Sequence, residues 1–315
     1  MRFTYSLNGE WYLALDQDDI GIHRRWYSGE NLPETLSVRV PSVWDLWAPD
    51  YDGVGWYLRE FDAPEDRHGR LWEIRFEAAD YYAEVWLNGI RLGEHEGGYT
   101  PFSLPATHAL RDGRNLIAVR IVDPHGPAGY GPFLPRQIPC SKEHGYFTFA
   151  GLWGSVDLIG KPHDHITDVF VQPDIYRKRL CVAVSVSADL DVHLSVAGTS
   201  SEVAGKPGKF VVKLPDFECW SPETPVLYTL ECTASQNGTP VDQMDVRFGM
   251  RDFTVKNNRF YLNNHPIFVK GVLHQPDYPL TLAAPASETM ARKGSRFQSH
   301  PASYQDRAGD HPPIV

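Results

Sequence analysis

Apolar and charged side chains alternate strictly along Trp72-Glu73-Ile74-Arg75-Phe76-Glu77, which places Trp72, Ile74 and Phe76 on one face of a half-buried strand. The same period of two runs through Ala83, Val85 and Leu87 against Tyr82, Glu84 and Trp86. Asn88-Gly89 then predicts a type I′ turn into Ile90-Arg91-Leu92, because both residues tolerate positive φ. After Asp112-Gly113 the alternation returns from Leu116 to Asp123. No amphipathic helical period interrupts this region. An all-β first domain is expected, and Trp11, Trp56, Trp72 and Trp86 lie in strands where a sandwich core needs large side chains.

From Pro124 to Ala150 the periodicity lapses into a long stretch rich in Gly and Pro, and segments of this kind inside compact domains are often functional. A strand is expected again from near Trp153 to about Pro162. Leu180, Val182, Val184 and Val186 then alternate with Cys181, Ala183, Ser185 and Ser187, and Val192 to Val196 follows. With Phe210 to Leu214, Leu227 to Thr233 and Asp245 to Val255, these short strands predict a second, smaller sandwich. Further on, Phe260-Tyr261-Leu262 and Ile267-Phe268-Val269 flank Asn263-Asn264-His265-Pro266 as another hairpin, whose second arm runs into Lys270-Gly271-Val272-Leu273-His274 as one buried strand. A helix is expected to begin at Ser287 to Arg292, entered through Pro285 and Ser287. Residues 293–315 carry no hydrophobic period and are expected to be a disordered tail.

Composition narrows the function classes. At 315 residues, with 42% hydrophobic and 22% charged positions, the chain can bury about two domain cores. Its 25 Pro and 26 Gly suit a turn-rich β protein. A net charge of −10 disfavours nucleic acid and anionic membrane as partners, since both would repel the protein at long range, whereas a neutral sugar is unaffected. The first residues lack the apolar core of a signal peptide and no stretch is apolar enough to span a bilayer, so a cytoplasmic protein is expected. Cys140, Cys181, Cys219 and Cys232 lack C-x-x-C or Cys/His metal spacing and are read as buried free thiols. No metal and no cofactor is expected.

Ten segments in order resemble glycoside hydrolase family 2, the family of β-galactosidase, β-glucuronidase and β-mannosidase. They are Ser6-Leu7-Asn8-Gly9-Glu10-Trp11, Val40-Pro41-Ser42-Val43-Trp44, Gly55-Trp56-Tyr57-Leu58-Arg59, Ala83 to Gly89, Glu94 to Phe102, Gly113 to Arg120, Gly151 to Val156, Trp220 to Tyr228, and the pair Phe248 to Arg251 with Gly271 to Pro279. The resemblance implies a jelly-roll, galactose-binding-like sandwich over residues 1–162 and an immunoglobulin-like β-sandwich over 163–253. It also implies the start of a truncated (β/α)₈ barrel over 254–292. In that family catalysis belongs to the barrel, through two glutamates, one of them usually after an asparagine. Beyond Gly271 the only acidic residues are Asp277, Glu288, Asp306 and Asp310, and no Asn-Glu pair occurs, so no catalytic residue is assigned.

By the same resemblance Asp277 follows the first barrel strand, where it is either a sugar contact or a solvated turn aspartate, and His274 and Gln275 beside it offer hydrogen-bond partners to a sugar. Lys142, Glu143, His144 and Tyr146 sit in the long segment that would reach the barrel mouth, as glycone contacts or as solvated loop residues. The expected ligand is a β-glycoside, and the chain is expected to be an inactive fragment of such a hydrolase that has lost its barrel by frameshift, truncation or an incomplete gene model. The rival reading is a non-catalytic carbohydrate-binding or interaction protein built from the two sandwiches. The barrel stub, stripped of its neighbours, is expected to promote self-association.

Overall fold

The computed structural model describes residues 2–49, 51–123, 149–271, 278, 280–285, 287 and 289–292. Ten strands come first: β1 (Phe3–Ser6), β2 (Gly9–Leu15), β3 (Leu36–Val40), β4 (Gly53–Asp62), β5 (Arg70–Phe76), β6 (Tyr82–Leu87), β7 (Ile90–Glu96), β8 (Phe102–Pro105), β9 (Arg114–Asp123) and β10 (Val156–Pro162). They form a six-stranded sheet in the order β3-β2-β4-β9-β6-β7 and a four-stranded sheet in the order β1-β10-β5-β8, the jelly-roll arrangement. Alternation along β5 is as the sequence predicts, with Trp72, Ile74 and Phe76 buried. The β6–β7 turn carries Asn88 and Gly89 at φ of 53° and 79°, the positive values that a type I′ turn requires.

Strand β9 departs from the simple alternating reading. Ile117, Val119 and Ile121 point into the sandwich, yet Ala118, Arg120 and Val122 on the other face are buried as well. A second layer covers that face. Trp56 from β4 and Trp86 from β6 meet with ring centroids 5.2 Å apart, Trp26 packs edge-on to Trp56 at 6.3 Å, and Tyr27 stacks on Trp86 at 5.6 Å. Trp26 and Tyr27 arrive on a 3₁₀ turn, Trp26–Ser28. Beneath them Asp16 accepts hydrogen bonds from Trp56 Nε1 (2.9 Å) and from the backbone N–H groups of Ile20 and Gly21 (both 2.8 Å). Arg120 meets Asp19 and Glu84, each at 2.7 Å. The buried tryptophans Trp11, Trp56, Trp72 and Trp86 are thus packing residues.

Seven strands build the second sandwich: β11 (Ile166–Asp174), β12 (Arg179–Val186), β13 (Asp191–Val196), β14 (Glu202–Gly205), β15 (Gly208–Lys213), β16 (Tyr228–Gln236) and β17 (Thr239–Phe248). Its sheets run β11-β12-β15 and β14-β13-β16-β17, immunoglobulin-like in form. Leu180, Val182, Val184, Val192, Leu194, Val196, Leu230 and Cys232 share one core. Cys232 is buried, and burial pushes its thiol up to about 12; Cys181 and Cys219 are half-buried and free.

The expected strand from Asp245 to Val255 is broken. β17 ends at Phe248, and the chain turns so that Gly249 lies flat on Trp220 while Trp220 N–H donates to Met250 O at 2.9 Å. A Cβ on Gly249 would sit 3.0 Å from Trp220 Cβ, so the glycine lets the chain lie close against the indole where the strand ends. Three short strands follow, β18 (Phe253–Lys256), β19 (Arg259–Leu262) and β20 (His265–Ile267), forming a sheet in that order. Asn257-Asn258 and Asn263-Asn264 make the two turns, all four at positive φ. The expected long buried strand from Ile267 stops at Ile267: Phe268 and Val269 are 83% and 52% exposed, for among the described residues β20 pairs with β19 alone. At the short helix 289–292, Met290 N–H donates to Ser287 Oγ at 3.2 Å, the N-cap expected there. Residues 293–315 lie outside the described residues.

Candidate functional site

Within the first sandwich, the chain leaves β9 at Asp123 and is described again from Phe149. The return is anchored by backbone pairing on two sides. Trp44 N–H donates to Ala150 O (2.8 Å) and Ser42 N–H to Leu152 O (2.9 Å), while Asp80 and Gly151 exchange bonds of 3.0 and 2.9 Å. Gly151 is at φ +120°, and a Cβ there would lie 2.3 Å from Tyr57 Oη, so only glycine fits between the two anchors. Burial pushes the Tyr57 phenol up, so it is a neutral wall of this corner.

Two carboxylates flank the anchor. Asp45, on the 3₁₀ turn Trp44–Leu46, accepts from Ala150 N–H at 3.2 Å. Burial, with Asp52 and Asp80 as like charges nearby, lifts its pKa from 3.8 to about 6. Asp80 is buried, and its carboxylate fills the space above Gly98, where a Cβ would meet it at 2.3 Å. Trp153 Nε1 donates to Gly98 O (2.9 Å), which fixes the indole, and Tyr99 packs edge-on to it at 5.3 Å with 56% of its surface exposed. Beside them Tyr81 donates to Glu96 (2.7 Å), and burial together with that bond raises its pKa to about 12.

This corner joins an exposed tyrosine, a partly exposed indole and a half-buried carboxyl. Aromatic faces cover the apolar C–H face of a sugar ring while carboxylates accept from its hydroxyls, so the corner has the chemistry of a carbohydrate contact. The sequence pointed elsewhere. Lys142, Glu143, His144 and Tyr146, and equally His274, Gln275 and Asp277, all lie outside the described residues. Asp45, Asp80, Tyr99 and Trp153 carry no individual mark in the sequence, although Gly97-Gly98-Tyr99 and Gly151-Leu152-Trp153 belong to the family pattern. Their convergence from four separate segments leaves no local signature.

Asp45 supports a pH prediction. An unfolded aspartate ionises near 3.8 and folded Asp45 near 6, so the folded state holds the extra proton between these values and loses stability as pH rises from 4 to 6. Asp45→Asn keeps an acceptor for Ala150 N–H and removes the titration. The melting temperature of the variant relative to the parent should therefore climb between pH 4 and 6 and then level off; parallel curves across that window would show that Asp45 ionises freely.

Profiles of two domains match the chain: "Glycosyl hydrolases family 2, sugar binding domain" over residues 47–162 and "Glycosyl hydrolases family 2" over residues 164–251. A β-glucuronidase of Streptococcus agalactiae is 25% identical over 290 residues, 86% of this chain and 47% of the relative. The β-galactosidase large subunit of Latilactobacillus sakei is 30% identical over 246 residues, 74% of this chain and 37% of the relative. Among solved structures, a β-glucuronidase of Ruminococcus gnavus in complex with D-glucuronic acid superposes with a TM-score of 0.81 at 23% identity, over 93% of this chain and 54% of that one, a likeness of fold. The chain spans about half the length of the curated relatives it matches.

Proposed function

Because the chain belongs to glycoside hydrolase family 2, we propose that its sandwiches are the sugar-site-shaping part of a hydrolase of β-glucuronides or β-galactosides. We infer further that these 315 residues do not turn over a glycoside by themselves. The observation that carries the reading is coverage: relatives named β-glucuronidase and β-galactosidase match along most of this chain but about half of their own length or less. Retaining hydrolysis requires an acid/base and a nucleophile, two carboxyl groups about 5–5.5 Å apart on either side of the scissile bond. Asp45 and Asp80 do not meet that need, since Asp80 is buried against Gly98 and Asp45 is tied to the Ala150 backbone.

The exposed Tyr99 beside Trp153 favours a second reading, in which the first sandwich binds carbohydrate on its own. One experiment addresses both. The purified chain, incubated with chromogenic β-glucuronides and β-galactosides, should release no chromophore above a mock preparation; turnover that persists through repurification would overturn the proposal. Titration of the same sample with glucuronic acid and galactose, followed by tryptophan fluorescence, separates the readings. A saturable change supports binding by the sandwich alone, and a flat signal leaves the corner as one wall of a larger site.

A further inference from the structure

Asn-Gly occurs three times in the chain, at Asn8-Gly9, Asn88-Gly89 and Asn237-Gly238. A glycine after asparagine leaves its own backbone nitrogen open to the neighbouring side-chain carbonyl, because no Cβ stands in the way. The fold treats the three pairs differently. Asn8 is half-buried; its Nδ2 donates to Ser155 Oγ (3.2 Å) and its Oδ1 accepts from Val156 N–H (2.9 Å). Asn88, also half-buried, donates from Nδ2 to Ala109 O (2.8 Å) and Asn115 Oδ1 (2.7 Å) and accepts from Leu116 N–H (2.9 Å). Both amides are committed to other partners.

Asn237 stands at the tip of the β16–β17 hairpin, where Gln236 pairs with Thr239 across a two-residue turn. It is exposed, and its side chain makes no hydrogen bond among the described residues. Gly238 is exposed too, with nothing within 4 Å of where a Cβ would stand. Backbone shape does not account for the contrast with Asn88. The φ values are 51° and 79° at Asn237 and Gly238, against 53° and 79° at Asn88 and Gly89. The two turns match in φ and differ in what holds the amide.

We propose that Asn237 is a site of intramolecular deamidation in the folded chain, and that the fold protects Asn8 and Asn88 from the same reaction. Solvent hydroxide takes the Gly238 N–H proton, the nitrogen attacks Asn237 Cγ, and the Cγ–Nδ2 bond breaks as the leaving nitrogen takes up a proton and departs as ammonia. Water then opens the cyclic imide and restores the Gly238 N–H. Opening at Cγ leaves aspartate; opening at the main-chain carbonyl carbon leaves isoaspartate, whose main chain is one carbon longer. Either product takes the net charge from −10 to −11.

Peptide mapping of the full chain tests it, because trypsin places the pairs in separate peptides, 3–24, 76–91 and 214–247, each with a single asparagine. After native protein is held in warm alkaline buffer, the mass gain of one dalton over unincubated protein should appear in 214–247 at least about tenfold faster than in the other two, whose amides react only on local opening. In urea the three rates should converge. A methyltransferase specific for isoaspartate should label the same peptide of the aged protein, and Asn237→Gly, which suits a type I′ turn, should abolish both signals. Equal native rates in the three peptides, or faster reaction at Asn8 or Asn88, would overturn the proposal. So would a 214–247 peptide that stays unmodified in native protein while the urea-unfolded chain reacts, or a difference that persists in urea and so belongs to the flanking sequence.

Discussion

Gly154→Ala is expected to cripple the first sandwich. A Cβ at this position would lie 2.2 Å from Ala78 N, 2.8 Å from the Glu77 carbonyl carbon and 2.9 Å from Ala78 Cα. These are backbone atoms, with no flexible side-chain end to swing aside. The two segments are also stitched together, by Gly154 N–H to Ala78 O at 3.1 Å and Glu77 N–H to Ser155 O at 2.9 Å. Relieving the clash therefore breaks both bonds and displaces Trp153, so the cost should exceed the usual overpacking range of about 1–3 kcal/mol. Gly113→Ala is the matched control. It sits at φ +67° with open space around it, so an alanine there incurs only left-handed strain of about 1–2 kcal/mol. Urea denaturation should place the two variants far apart, with Gly154→Ala poorly folded even without denaturant. A Gly154→Ala protein within about 1 kcal/mol of the parent would show that the segments part cheaply.

The same residues show which features were open to sequence reading. Strands that cover one core declare themselves: β5 alternates in sequence and in burial, as do β12 and β13, because each has one face inward and one outward. Asn88-Gly89 and Asn263-Asn264 likewise mark turns through their own backbone chemistry. β9 departs from the expected alternation because Ala118 and Val122 pack with Trp26, Trp56 and Trp86 while Arg120 pairs with Asp19 and Glu84, and a cover brought from far earlier in the chain leaves no mark on a strand's own period. The break after Phe248 is similarly remote in origin, since it is Trp220 that the chain turns to meet. The candidate corner is the least legible part. Asp45, Asp80, Gly98 and Trp153 acquire meaning only through the Asp80–Gly151 pairing and the Gly98 contact, whereas charged residues in a long irregular segment attract notice one by one.

The second large effect is expected at Asp242. Its side chain, on β17, is wholly inaccessible to solvent, yet it joins distant parts of the chain. Asp242 accepts from Arg2 through Nε (3.2 Å) and Nη2 (2.9 Å) and from Ile166 N–H (2.9 Å), and Arg2 also donates to Ile166 O. Asp242→Ala leaves the buried Ile166 N–H and the guanidinium without their shared acceptor. Removing one partner of a buried ion pair typically costs about 3–5 kcal/mol. Because Arg2 remains 30% exposed and can partly rehydrate, the lower end of that range applies. Arg2→Ala should be nearly as damaging for the opposite reason: it strands a carboxylate away from water with Ile166 N–H as its one remaining backbone donor among the bonds described. The double variant removes both charges at once, so its loss should be well below the sum of the two single losses, a coupling of about 1–3 kcal/mol. Asp242→Asn, which keeps an acceptor for Ile166 N–H but no charge for Arg2, should fall between parent and alanine. Four urea curves, together with the parent's, decide the matter: strict additivity of the two alanine substitutions would mean that Arg2 and Asp242 contribute independently, and that Ile166 N–H alone accounts for the burial of the carboxylate.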